Sequence, residues 1–93
     1  MAYIVTRIQV GDYDAWKPMF DLDGPGARQA AIGHRVLRSV DDPNEVYVFI
    51  EFSSTDDAIA ARERLLASGV LDRFPDHSGP NVVEVAESVD GPG

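Results

Sequence analysis

Two histidines, one tryptophan and seven arginines are the side chains of this 93-residue chain best suited to chemistry. An imidazole titrates near neutrality and is able to take a phenolic or α-carbonyl proton, which makes His34 a candidate general base. His34 follows Gly33 at the start of an alternating stretch, a position that equally suits an exposed polar side chain. Arg35 and Arg38 alternate faces of that stretch, so only one of them points inward. An inward Arg38 would stabilise an anionic oxygen in a dry cavity; otherwise it would pair with an acid such as Glu51 or Glu84. Tyr13, Trp16 and Phe20 recur at i, i+3 and i+7 and form one aromatic stripe on a helix. Trp16 there is either a platform for an aromatic ligand or a core anchor. The expected site therefore has His34 and Arg38 as catalytic groups. Trp16, Phe20, Phe52 and the loop residue His77 would contact the substrate.

Other chemistries find less support. Without cysteine the chain has no disulfide, thiolate metal site or sulfur nucleophile. The two histidines lie far apart in sequence, with no HxxE or HxxxH spacing, so no metal is expected. Asp41-Asp42 and Asp56-Asp57 read as a turn and a helix cap. Gly24-Pro25-Gly26 lacks the Lys-Ser/Thr of a phosphate loop. Glu84 and Glu87 fall on opposite faces of an extended stretch, and no Ser-His-Asp order stands out.

The elements that must position these residues follow from periodicity. Tyr3–Val10 alternates as a strand, with Ile4, Thr6, Ile8 and Val10 on one face. Asp12 or Asp14 caps the aromatic-striped helix, and Pro18 is expected to make its first turn irregular or to kink it. After Asp23-Gly24-Pro25-Gly26, the run Ala27–Ile32 predicts a further helical turn or two, with Gly33 as its C-cap. His34–Val40 and Glu45–Phe52 read as two strands joined by the Asp41-Asp42-Pro43-Asn44 turn. Ser53–Asp57 opens a second helix with hydroxyl caps and acids in its first turn. That helix runs to about Ser68 with Ala58, Ala61, Leu65 and Leu66 inward, and Gly69 ends it. Val70–Phe74 adds a short turn, and a last strand is expected over Asn81–Val89. The order is β-α-β-β-α-β, a ferredoxin-like α+β sandwich on a four-stranded antiparallel sheet. Residues 1–89 are read as one domain and 90–93 as a loose tail.

Eight basic against 16 acidic side chains give a net charge of −8. With one lysine and no arginine run, nucleic acid and anionic membrane surfaces are not expected partners. No window reaches the ~18 apolar residues of a membrane span. No basic, apolar leader precedes the first strand. A cytoplasmic setting is expected. A chain this short buries only about 60–65% of its unfolded surface, so pairing with a second copy would add stability. The far face of the sheet favours that, because Tyr3, Val5, Tyr47, Phe49 and Val82 or Val83 make it apolar as well. A homodimer packed sheet to sheet is the expected assembly.

The stretch Val10–Asp21, containing Asp-Tyr-Asp-Ala-Trp-Lys, resembles the small dimeric α+β barrel proteins grouped with antibiotic biosynthesis monooxygenases and often labelled cyclases. So do Arg35–Val46, containing Asp-Asp-Pro-Asn-Glu-Val, and the acid-capped helix after Glu51-Phe52. The likeness spans about Tyr3–Val89. It implies a dimer whose two sheets form a barrel, with a pocket between sheet and helices in each subunit. It also implies a small apolar, aromatic or polyketide-like ligand and a cofactor-independent monooxygenase or cyclase. Some members of that group degrade haem through an axial histidine on a helix. Here His77 lies in a loop, the tryptophan is on the other helix and strand one has no asparagine, so no cofactor is expected. A non-catalytic ligand-binding or scaffold dimer is the alternative.

Overall fold

Strict alternation of buried and half-buried residues along Ala2–Gln9 (β1) and Glu45–Phe52 (β3) makes these two strands the centre of the sheet. They pair antiparallel from Ala2 opposite Phe52 to Gln9 opposite Glu45. The computed structural model describes residues 1–91. Between the central strands lie the helix Tyr13–Asp21 (α1) and the strand Gly33–Arg38 (β2). After them come the helix Thr55–Ser68 (α2), a 3₁₀ turn Val70–Arg73 and the strand His77–Glu84 (β4). The result is the ferredoxin-like β-α-β-β-α-β order on an antiparallel sheet ordered β2-β3-β1-β4.

The helix ends follow from side-chain caps. Asp12 accepts from the Asp14 backbone N–H at 3.1 Å and starts α1. Pro18 sits inside that helix without ending it. It removes only the bond that would return to the Asp14 carbonyl, and its ring faces solvent. Ser54 accepts from Asp57 N–H at 3.1 Å and starts α2, and Gly69, left-handed at φ 70°, stops it. One face of the sheet meets the helices. There Ile4, Ile8, Val46, Val48, Ile50 and Phe52 pack with Trp16, Ala58, Ala61 and Leu71 in a single core.

The sheet does not close into the barrel that the family resemblance implied. β2 and β4 each pair on one side only, leaving an open sheet with two free edges. Closure needs strand tilt and stagger accumulated over more strands than four.

Five local expectations also change. Ala27–Ile32 forms turns rather than helix. Asp23, at φ 48°, binds the Ala27 and Arg28 amides with its two carboxylate oxygens at 3.0 Å each, and so holds the segment as a loop. Gly33 is then the first residue of β2 rather than a helix cap. β2 stops at Arg38, because the Ser39 hydroxyl accepts from the Asp41 and Asp42 amides and turns the chain; Val40 is 98% exposed. β4 begins at His77 rather than Asn81 and ends at Glu84, while Val85–Val89 run on as exposed chain. A register shift opposite Val5–Arg7 lets Gly79-Pro80 sit inside the strand. Leu66, expected inward, is exposed. The last two positions of the expected 90–93 tail lie outside the described residues.

The outer sheet face is more polar than its alternation suggested. Tyr3 donates to Glu51 at 2.9 Å, and Gln9 donates to Asp42 at 3.0 Å. Arg7 bridges Glu45 at 2.7 Å and Asp76 at 2.8 Å. The hydrogen bond to Glu51 raises the Tyr3 phenol above its usual range; partial burial and the Glu51 charge add to this and the Arg35 charge opposes it. Arg7 holds the Asp76 carboxyl below its ordinary value, chiefly by the hydrogen bond and then by its charge. A depressed carboxyl contributes stability that is complete above its unfolded value of about 3.9 and is lost as pH falls through the folded value. Arg7→Met is therefore expected to flatten the acid limb of stability below about pH 4, as read from urea midpoints across pH. An acid limb as steep as that of the unmutated protein would remove this pairing from the account.

Candidate functional site

Between sheet and helices the chain leaves a cavity of about 370 Å³. That is at the small end of the roughly 300–1,000 Å³ typical of ligand sites. Its floor is the inner sheet face, Thr6 and Ile8 of β1 with Val48 and Ile50 of β3. One wall is α1, through Trp16, Met19 and Phe20. The opposite wall comes from Leu65 and Ser68 at the end of α2 and from the 3₁₀ turn and Phe74. The Leu22–Pro25 loop and Arg28 form the third side.

The aromatic stripe builds the α1 wall. Trp16 and Phe20 stack with ring centroids 4.9 Å apart, and Tyr13 lies 5.8 Å from Trp16. Trp16 is 4% exposed, so it is both a core anchor and a cavity wall. The Arg28 guanidinium lies 3.9 Å from the centre of the Phe20 ring. It also donates to the Phe20 carbonyl and approaches Asp23 at 3.6 Å. This arginine locks the loop against α1.

The other expected site residues lie elsewhere. His34 is opposite Ile50, on the helix-facing side of edge strand β2; it is exposed and sets its ring edge-on to Phe20 at 5.6 Å. Arg38 shares that face. It stacks on Tyr13 at 3.9 Å and donates to the Pro43 carbonyl at 3.0 Å, outside the cavity lining. Phe52 is fully buried in the core beyond the cavity. His77 is held by its Nδ1, 2.6 Å from the Phe74 carbonyl. A carbonyl only accepts, so Nδ1 carries the proton in that bond. The structure thus brings Trp16 and Phe20 together in the cavity lining, sets His34 against the Phe20 edge outside that lining, and leaves Arg38, Phe52 and His77 apart.

Sequence reasoning passed over Thr6, Met19, Arg28 and Arg73. Thr6 carried a signal, being the one polar residue in the inward series Ile4-Thr6-Ile8-Val10. The arginines carried none, since both sit in turns without periodicity.

Among the described residues, no group of three or more histidines and acids converges as a metal site would require. No helix there is long and apolar enough to cross a membrane. A second hollow of about 680 Å³, as open as the first, is lined by Tyr3, His34, Arg35, Leu37, Phe49 and Glu51. Its lining comes from the sheet strands alone.

The fold defines a class, the open ferredoxin-like sandwich with a helix-to-sheet cavity. Among solved structures the chain is similar to a Nitrosomonas europaea protein described as "Putative antibiotic biosynthesis monooxygenase". The identity is 18%, the TM-score 0.64, and the match covers 94% of this chain and 100% of that one. It is also similar to protein Atu4242 from Agrobacterium tumefaciens, at 20% identity and a TM-score of 0.62, over 92% of this chain and 94% of that one. At such identities the likeness is one of fold. No family model matches the sequence. No curated protein matches it either.

Proposed function

We propose that the chain is a small-molecule binding protein that works as a homodimer through the outer face of its sheet, and that its cavity takes a compact aromatic molecule. The observation that carries this reading is the cavity itself, walled by the stacked Trp16 and Phe20 over an apolar floor. Exposed Leu37 and Val83, with half-buried Val5 and Phe49 on the same outer face, support the pairing.

Native mass spectrometry is expected to give twice 10.1 kDa. A stable monomer would end the dimer part of the proposal. Trp16→Phe keeps an aromatic ring in the core while shrinking the platform, and is expected to weaken 2-naphthol binding about 3–10-fold by calorimetry. Unchanged affinity would place the ligand elsewhere.

Catalysis is a second reading, favoured by the fold likeness to the Nitrosomonas protein and by His34 at the Phe20 edge. In it His34, at the cavity's edge, takes the substrate proton; Arg38, stacked on Tyr13 outside the lining, has no part in it. Oxygen uptake with a polyketide-type quinol, abolished by His34→Ala, is its expected signature. Uptake that survives that substitution would leave binding as the whole function.

A further inference from the structure

We propose that the cavity recognises an aromatic carboxylate, with the acid held at the lip by Arg73 and a hydroxyl or carbonyl of the ring system meeting Thr6 at the floor. This deepens the binding reading above and rests on it.

The lip is where charge is out of balance. Asp23 is the sole acid among the lining residues, and it is fully engaged. Its two oxygens take the Ala27 and Arg28 amides, and one of them also faces the Arg28 guanidinium. Arg28 and Asp23 therefore offset each other. Arg73, on the 3₁₀ turn, has no such partner: the described ion pairs use Arg7, Lys17 and Arg28. Its contact is with the Met19 sulfur at 3.6 Å across the opening, and a thioether is a weak acceptor. In a chain with twice as many acids as bases, a cation at a cavity mouth that forms no ion pair among the described residues is poised for an outside anion. A guanidinium fork matches the two oxygens of a carboxylate.

The floor supplies the second polar contact. Thr6 is the one buried polar side chain of the described residues, 4% exposed between Ile4 and Ile8 on the inner face. It lines the cavity, so its hydroxyl is available to a ligand as donor or acceptor. Everything else on the floor is aliphatic, which suits a flat hydrocarbon ring between the two polar ends.

The test uses 6-hydroxy-2-naphthoate and its carboxamide, titrated by calorimetry and followed through the indole N–H cross-peak of Trp16, the only tryptophan. The acid is expected to bind about ten-fold tighter than the amide. Arg73→Gln should bring that ratio close to one without weakening the amide, because Arg73 is exposed and carries no core packing. Arg73→Lys should restore part of it. Thr6→Val should weaken the hydroxylated acid several-fold and leave 2-naphthoate unchanged. Equal affinity for acid and amide, or a ratio that survives Arg73→Gln, would overturn the proposal while the apolar site stood. Failure of both probes to move the Trp16 signal would remove the binding reading with it.

Discussion

Phe52→Ala is expected to cost about 3–5 kcal/mol, at the top of the range for truncating a core side chain. Phe52 is the largest of the fully buried side chains, at the end of β3 and opposite Ala2. Ala2, its partner across the strands, is too small to fill the space it would leave, and the core it belongs to also includes the small Ala58 and Ala61. A domain of this length has a total stability of about 5–14 kcal/mol, so the variant would sit at the edge of folding. Urea unfolding reads the loss, and one below about 1 kcal/mol would mean that the layer collapses around the gap. Phe52→Leu, costing about 1 kcal/mol, keeps the protein folded for binding. Because Phe52 does not line the cavity, affinity for 2-naphthol should stay within about two-fold.

Gly79→Ala should be nearly as severe, about 2–4 kcal/mol, for a backbone reason. Gly79 has φ +87°, which L side chains rarely adopt, and a Cβ there would lie 2.6 Å from the Val5 carbonyl oxygen and 3.0 Å from the Asn81 amide nitrogen. Val5 belongs to the paired strand β1 and Asn81 to β4 itself, so relief requires β4 to move off β1 at the register shift and to adjust its own backbone. Gly11 separates the two contributions. It is also at positive φ, +77°, but a Cβ there meets nothing within 4 Å. Gly11→Ala should therefore cost only about 1–2 kcal/mol. Equal losses at the two positions, measured by thermal unfolding, would show that φ strain alone is at work.

The contrast between these glycines shows how far the chain could be read without its fold. β1 and β3 were legible because a central strand buries every second residue, and Ile4-Thr6-Ile8 and Val46-Val48-Ile50-Phe52 record that period directly. α2 was legible from Ser54 and Gly69, whose capping is local chemistry. β4 was misplaced by four residues at its start because Asp76-His77-Ser78-Gly79-Pro80 has the composition of a loop. Only the pairing with β1 draws it into the sheet, at an edge where proline's missing N–H is tolerated. The open sheet was missed for a related reason: whether a four-stranded sheet closes depends on strand number and tilt, and apolar alternation reports neither.

The candidate site divides the same way. Trp16 and Phe20 were legible as one aromatic stripe because they share one helical face. His34 and Arg38 were legible as sharing one strand face, and they do, opposite Ile50 and Val46. That face lies on an edge strand, where the helix layer ends, so both side chains are exposed.

What this sequence determined by itself was the element order, the central strands, the helix caps and the aromatic stripe. Each is written in contacts between residues close along the chain or in a simple period. Only the tertiary structure decided that the cavity is bordered by Arg28 and Arg73 instead of Arg38. Asp23 folds the loop that carries Arg28, and the αL turn at Gly69 swings Arg73 onto Met19. Those meetings join residues up to 54 positions apart, and no local pattern encodes a neighbour at that distance.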